Sequence, residues 1–175
     1  MDLSEQQEPL NCLDRLVVKV GHTISFLFLV SALVIFYEVI QRYVFDSPTF
    51  WVHETTVMIG ALLFVYGGSH CVAKDKHIRV VIIYDAVSPK VRRWLDVIIY
   101  AMCCVSTGML AWAAWQVLLR AVFAPNGDIR FETTGSAWDP AFPAFIKITL
   151  FLILCLMFIQ FVFRLINKLT RGSHV

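Results

Sequence analysis

The side chains that could do chemistry fall into two small groups. Glu38 and Arg42 stand four apart, in the order that favours an ion pair along a helix, and Gln41 adjoins them. His53 and Glu54 follow just across a short turn. Such a cluster suits two roles: a self-neutralised group at a membrane surface with Arg42 reaching outward, or a polar contact with another protein. The second group is His22 and His70, each near the end of an apolar run. Two facing histidines can ligate a haem iron axially. That alternative would make the chain the membrane anchor of a haem- or quinone-dependent oxidoreductase, although interfacial histidines without a ligand are far commoner.

Beyond these groups the sequence offers no catalytic apparatus. It has no P-loop, no GxSxG elbow, no HExxH and no clustered carboxylates, so no enzyme activity, cofactor or metal is expected. Cys12, Cys71, Cys103, Cys104 and Cys155 include no CxxC pair and read as small buried hydrophobes.

The elements that carry these residues are set by hydropathy. The chain is 58% hydrophobic and 16% charged, with a mean hydropathy of +0.70. A soluble domain carries about 25% charged residues, so this balance belongs in a bilayer. Four apolar runs occur, at about 17–45, 51–73, 93–123 and 142–166. Each can cover the roughly 20 residues that a span requires. In lipid, backbone groups must be satisfied within the segment, so each run should be a helix. The expectation is an all-α membrane protein, a single domain over residues 1–175 with four transmembrane helices. The first and third runs exceed a bilayer's thickness and should tilt or project. Ser47-Pro48, Ser88-Pro89 and Asp139-Pro140 each precede a run, which suggests a capping side chain before a proline at the first helical position. Val30-Ser31-Ala32 resembles a signal-peptide cleavage site but lies inside the first run, so that run reads as an uncleaved span.

Orientation follows from Lys and Arg. One side holds Arg15, Lys19, Lys74, Lys76, Arg79, Lys90, Arg92, Arg93, Arg164, Lys168 and Arg171; the other holds Arg42, Arg120, Arg130 and Lys147. Eleven against four puts both termini and the middle loop in the cytoplasm. Trp51, Trp112, Trp115 and Trp138 then fall near the outer interface and Trp94 near the inner one. Trp94, Trp112 and Trp115, with Arg92 and Arg93, are the expected membrane anchors. In the middle loop, Ile78 to Tyr84 is too short to span and suggests a segment lying along the inner leaflet.

The mid-span stretches 28–34, 59–65, 105–111 and 151–157 contain no Asp, Glu, Lys, Arg, His or Pro. Solute pathways through membranes usually show broken helices and ionisable groups at that depth. No inverted repeat is visible either, so the chain by itself is not expected to transport anything.

Two segments resemble a known family. Arg42-Tyr43-Val44-Phe45-Asp46-Ser47-Pro48-Thr49-Phe50-Trp51-Val52-His53-Glu54 is similar to the first-turn signature of the small membrane subunit of tripartite ATP-independent periplasmic (TRAP) transporters, roughly RYVF-x-x-P-x-x-W-x-x-E. His77-Ile78-Arg79-Val80, followed by Tyr84-Asp85 and Ser88-Pro89, resembles the family's middle loop, with Val81 where Asp is expected and Lys76 where Gly is common. The resemblance implies a four-helix accessory subunit in obligate complex with a large, elevator-type membrane subunit that carries sodium ions and an organic acid. A periplasmic binding protein would deliver the substrate. It places the chain in a bacterial inner membrane, with lipids and these proteins as partners and no nucleic acid. Candidate partner contacts are Glu38, Arg42, Pro48, Trp51, Glu54, His77 and Arg79, although Trp51 suits an ordinary interfacial tryptophan equally well.

Overall fold

The structure, a computed structural model, describes residues 12–74 and 88–170. Four helices occupy them: α1 (Cys12–Tyr43), α2 (Trp51–Ala73), α3 (Pro89–Val122) and α4 (Phe142–Thr170). All four are long and apolar enough to cross a membrane. The expected interfacial segment, with His77 and Arg79, lies outside the described residues.

The helices run past the apolar runs at the end where α1 begins and α4 finishes. Hydropathy marks where lipid must be, whereas the hydrogen-bonded backbone continues beyond it. The 34 residues of α3 cover roughly 51 Å at 1.5 Å each, well over the hydrocarbon thickness. At its other end α1 stops before the apolar Val44-Phe45. Asp46 turns to φ 49° and the Ser47 N–H donates to the Gln41 carbonyl at 3.0 Å. The chain leaves the helix through a left-handed aspartate, a conformation that glycine adopts at less cost.

Of the expected cap-and-proline device, only the first-turn proline is present, and at one of the three sites. Ser88 is the extended N-cap residue of α3 and Pro89 sits in its first turn, but the Ser88 hydroxyl makes no capping bond. Pro48 lies ahead of α2, whose N-cap is Phe50. Pro140 lies ahead of α4, and the Asp139 carboxylate accepts the Gly135 N–H at 2.9 Å instead. Both prolines end a loop rather than begin a helix.

The principal helix contacts run α1 to α2, α2 to α4 and α4 to α3, so the helices form a row with α1 and α3 at its edges. Val72 of α2, Tyr100 of α3 and Phe161 of α4 make the buried centre, with Cys103, Cys104, Met157 and Leu165 packed around it. Small residues permit the close approach on α4. A Cβ on Gly68 would stand 3.5 Å from the Met157 sulfur, and one on Gly108 would stand 3.4 Å from the Phe158 ring. Gly60 and Gly67 face open space instead. The cysteines divide in the same way: Cys103, Cys104 and Cys155 are partly covered, whereas Cys12 and Cys71 are exposed on the chain's surface rather than buried.

The least expected packing is polar. Near the ends of α2 and α4, the Gln160 amide donates to Asp14 Oδ1 at 3.0 Å, and Ser69 Oγ donates to Gln160 Oε1 at 3.0 Å. Arg164 donates to Asp14 Oδ2 at 3.5 Å and to the Ala73 carbonyl at 3.1 Å. All four side chains belong to buried residues. One carboxylate from the first turn of α1 thereby ties three helices together. Alongside it, Lys168 pairs with Asp96 at 3.6 Å and joins α4 to α3. Removing one member of a buried pair costs about 3–5 kcal/mol, because the remaining charge loses its compensation. Asp14→Ala is therefore expected to lower unfolding stability in detergent by about 3 kcal/mol, and Asp14→Ala with Arg164→Met to recover much of it. Equal stability of Asp14→Ala and the parent would count against the network.

Candidate functional site

The end of the row opposite this network carries the polar cluster, built on the α1–α2 turn. Glu38 is its centre. Its Oε1 accepts from Arg42 Nη2 at 2.8 Å and Nε at 3.3 Å. Its Oε2 accepts from the Thr49 N–H at 3.1 Å and also from the Thr49 hydroxyl. The carboxylate thus clamps the end of α1 to the segment leading into α2. Gln41 donates to the Tyr37 hydroxyl at 2.9 Å, and the Tyr37 ring lies 6.1 Å from the Trp51 ring. Pro48 is exposed at the tip of the turn, and Val52, just inside α2, is fully covered. Glu38, Arg42 and Trp51 are therefore brought together on one turn. The contribution of Thr49 was invisible in the sequence, since a threonine eleven residues away carries no periodic signal.

Two clefts open on this rim. One, of about 270 Å³, lies between Ile35, Glu38 and Arg42 on α1 and Val52, His53 and Thr56 on α2. The other, of about 170 Å³, lies between Glu54 and Val57 on α2 and Thr134, Pro143 and Ile146 beyond α3. His53 borders both.

Glu54 looks toward the second cleft. The Thr134 hydroxyl is 3.2 Å from each of its carboxylate oxygens, which ties α2 to the α3–α4 connection. That connection is itself organised. Gly127 supplies φ 87° at the turn, Arg130 N–H donates to the Val122 carbonyl and Glu132 N–H to that of Ala121, both at 2.8 Å. Lys147 of α4 pairs with Glu132. Chemically the rim is a braced polar surface with two shallow clefts. Its carboxylates bind neighbours within the chain, and no group of three metal-ligating side chains occurs among the described residues.

The remaining candidates lie elsewhere. Arg92 and Arg93 are exposed in the first turns of α3, where Arg93 Nη2 approaches the Leu169 carbonyl at 3.4 Å. Trp94 and Trp112 are each 69% exposed. Trp115 packs its ring 5.3 Å from that of Phe151, so it also joins α3 to α4.

His22 and His70 do meet, with ring centroids 6.2 Å apart and planes at 89°. That spacing by itself would suit two axial ligands; the packing around the rings is what argues against a haem. A Cβ on Gly21 would overlap His70 Nδ1 and stand 2.9 Å from Cε1, so the His70 ring rests on the α1 backbone itself. A porphyrin between the rings would need the two helices to part.

One comparison with known families gives a match. Residues 31–171 match the family described as tripartite ATP-independent periplasmic transporters, DctQ component. The chain belongs to this family. No curated protein sequence matches it. A DctQ component is the small membrane part of a TRAP transporter, which is a transport family and not an enzyme family. The oxidoreductase-anchor alternative has support neither from this match nor from the His22–His70 geometry.

Within this DctQ chain the Glu38 clamp is open to test. Glu38→Gln removes the charge that both Arg42 and Thr49 address, while keeping size. Amide hydrogen exchange over residues 44–50 is expected to quicken several-fold with the spans unchanged. Unaltered exchange there would show that the turn is held by other contacts.

Proposed function

We propose that this DctQ chain is the non-transporting scaffold subunit of a sodium-coupled, binding-protein-dependent importer of an organic acid or related small solute. A large elevator-type membrane subunit would carry ion and substrate, and this chain would hold its stationary part in the inner membrane. The observation that supports this most is the interior. The mid-span stretches are free of ionisable residues and proline, and α1 to α4 run through them without interruption. A solute route needs polar groups or broken helices at that depth. A fixed wall for a moving neighbour needs neither; it needs rigid helices, interfacial anchors and area.

The braced outer rim then faces the periplasm, with Trp51, Glu54, Pro48 and the Glu38–Arg42 pair as contacts for the large subunit or the binding protein. Its rigidity is the physical argument, because a preorganised surface loses little conformational entropy on docking. His77 and Arg79 would serve the same partner on the other side. Trp94, Trp112, Trp115, Arg92 and Arg93 would anchor the scaffold at the interfaces.

Gentle-detergent purification of the chain from its native membrane is expected to bring down a large, many-spanning hydrophobic protein. Recovery of soluble flavin or iron–sulfur subunits instead would refute the scaffold reading. Trp51→Ala is expected to lower recovery of that partner about tenfold or more, as loss of an aromatic anchor does. Glu54→Gln should act in the same direction more weakly. Normal assembly and transport in both variants would remove the rim from the interface.

Topology has its own check. A cysteine replacing Asn126 in a cysteine-free chain should react with an impermeant maleimide from the periplasm, whereas Cys12 restored alone should not. The reverse pattern would invert the orientation.

A further inference from the structure

The cleft of about 170 Å³ beside Glu54 sorts polar from apolar groups along the helix axes. α2 and α4 both begin at this end of the row, so their first turns flank its mouth. Glu54, His53 and Thr134 supply the polar groups there. Val57 on α2 and Ile146 on α4 line the cleft about one turn further in, roughly 5 Å at 1.5 Å per residue. Glu54 is half-buried, and the Thr134 hydroxyl lies 3.2 Å from each of its carboxylate oxygens. One hydroxyl proton leaves most of a carboxylate's lone pairs open and its charge unbalanced. Two nearby cations are already engaged, Arg42 by Glu38 and Lys147 by Glu132. No basic side chain among the described residues pairs with Glu54. The cleft therefore presents a negative charge at its mouth and apolar walls behind it.

We propose that this cleft binds phosphatidylethanolamine from the leaflet at this end of the row. Its ammonium sits on the Glu54 carboxylate, its phosphate beside the exposed His53, and the start of one acyl chain along Val57 and Ile146. A primary ammonium brings three N–H donors and a positive charge, which together give charge-assisted hydrogen bonds to a carboxylate. Choline carries the same charge without an N–H, and an anionic headgroup would set its own charge against Glu54. The volume is below the about 300–1,000 Å³ of sites that enclose a whole small molecule, and it suits part of a single chain. A lysine of another protein offers the same ammonium. The order of groups favours the lipid, because charge at the helix start and apolar walls further in follow the direction in which a lipid lies. The inference goes beyond the scaffold reading and does not need it, since the lipid is scored on this chain without a partner.

Native mass spectrometry of the full-length chain in gentle detergent tests it. The probes are phosphatidylethanolamine, phosphatidylcholine and phosphatidylglycerol with identical acyl chains. One phosphatidylethanolamine should be retained, with a preference of about tenfold or more over either of the others, as hydrogen bonds to a charged group imply. Glu54→Gln keeps the size of the side chain and removes its charge, so it should bring phosphatidylethanolamine down to the level of phosphatidylcholine. Val57→Trp leaves every charge in place and obstructs the apolar part, so it should abolish retention. Val57 is 54% exposed, so a larger side chain there leaves the packed interior intact. Phosphoethanolamine, the soluble headgroup without chains, should fail to displace the bound lipid. An unchanged preference in Glu54→Gln, undiminished retention in Val57→Trp, or displacement by phosphoethanolamine would each overturn the proposal. Equal retention of phosphatidylethanolamine and phosphatidylcholine by the parent would overturn it too, and would leave Glu54 to a basic side chain of a protein partner. Partner recovery in the purification above is read separately, so the two readings fail independently.

Discussion

Inside a bilayer, helices gain little by burying apolar side chains against one another, because lipid is as apolar as leucine. The order and depth of helices must come from close packing and from polar bonds that lipid cannot replace. In this chain Asp14 supplies the polar part. Its carboxylate receives Gln160 and Arg164 from α4, and Gln160 in turn receives Ser69 from α2. Arg164 also holds the last carbonyl of α2, that of Ala73. A slide of α1 by one helical position would withdraw the carboxylate from both partners. The register of three helices therefore hangs on one side chain in the first turn of the first of them. Gly21 works toward the same end, since it lets the His70 ring rest on the α1 backbone.

The opposite end is fixed by a different device. There Glu38 accepts from Arg42 and from Thr49, so one carboxylate closes the turn between neighbouring helices. Glu54 with Thr134, and Lys147 with Glu132, fasten the α3–α4 connection to α2 and α4. Polar bonds thus occupy both ends of the row; the buried cluster of Val72, Tyr100 and Phe161 lies beside the Asp14 network, and the mid-span stretches are apolar. Bracing at the ends and an apolar centre are compatible with the scaffold role proposed above.

How much of this could be read from the sequence depends on the range of the interaction. The spans were legible because the bilayer imposes a length and an apolarity on each one separately. Glu38 and Arg42 were legible because one helical turn separates them. The Asp14–Gln160–Arg164 network was not, since about 150 residues intervene and no periodicity links a carboxylate in one terminal segment to an amide in the other. Arg164 entered only as one of the basic residues counted on its side, and nothing in that count showed that it is buried. The prolines misled for a local reason. Pro48 and Pro140 follow residues of the kind that cap helices, but the α1 stop at Asp46 and the bend at Asp139, both at positive φ, take up chain before the next helix begins. The two histidines, each near the end of an apolar run, do meet. Their use as ligands failed on a glycine that periodicity could not distinguish from any other.

The row arrangement itself bears on what such a chain is for. In a closed square of four helices each helix hides two flanks, and the enclosed core carries the stability. In a row the edge helices hide one flank only, and α1 shows this in the exposure of Phe26, Phe28, Leu33 and Phe36 along its length. In water that surface would be a liability of many kilocalories per mole. In lipid it costs nothing, and against another membrane protein it can be covered without a hydrophobic gain or loss. Association along such a face therefore has to be decided where lipid competes poorly: at polar rims and at small residues. The turn around Glu38 and Trp51 and the open Gly60 and Gly67 of α2 are features of those two kinds, and they lie at different depths. A partner that met the rim but not the small-residue face would be held as a hinge, whereas one that met both would be fixed in orientation, and a stationary scaffold requires the second.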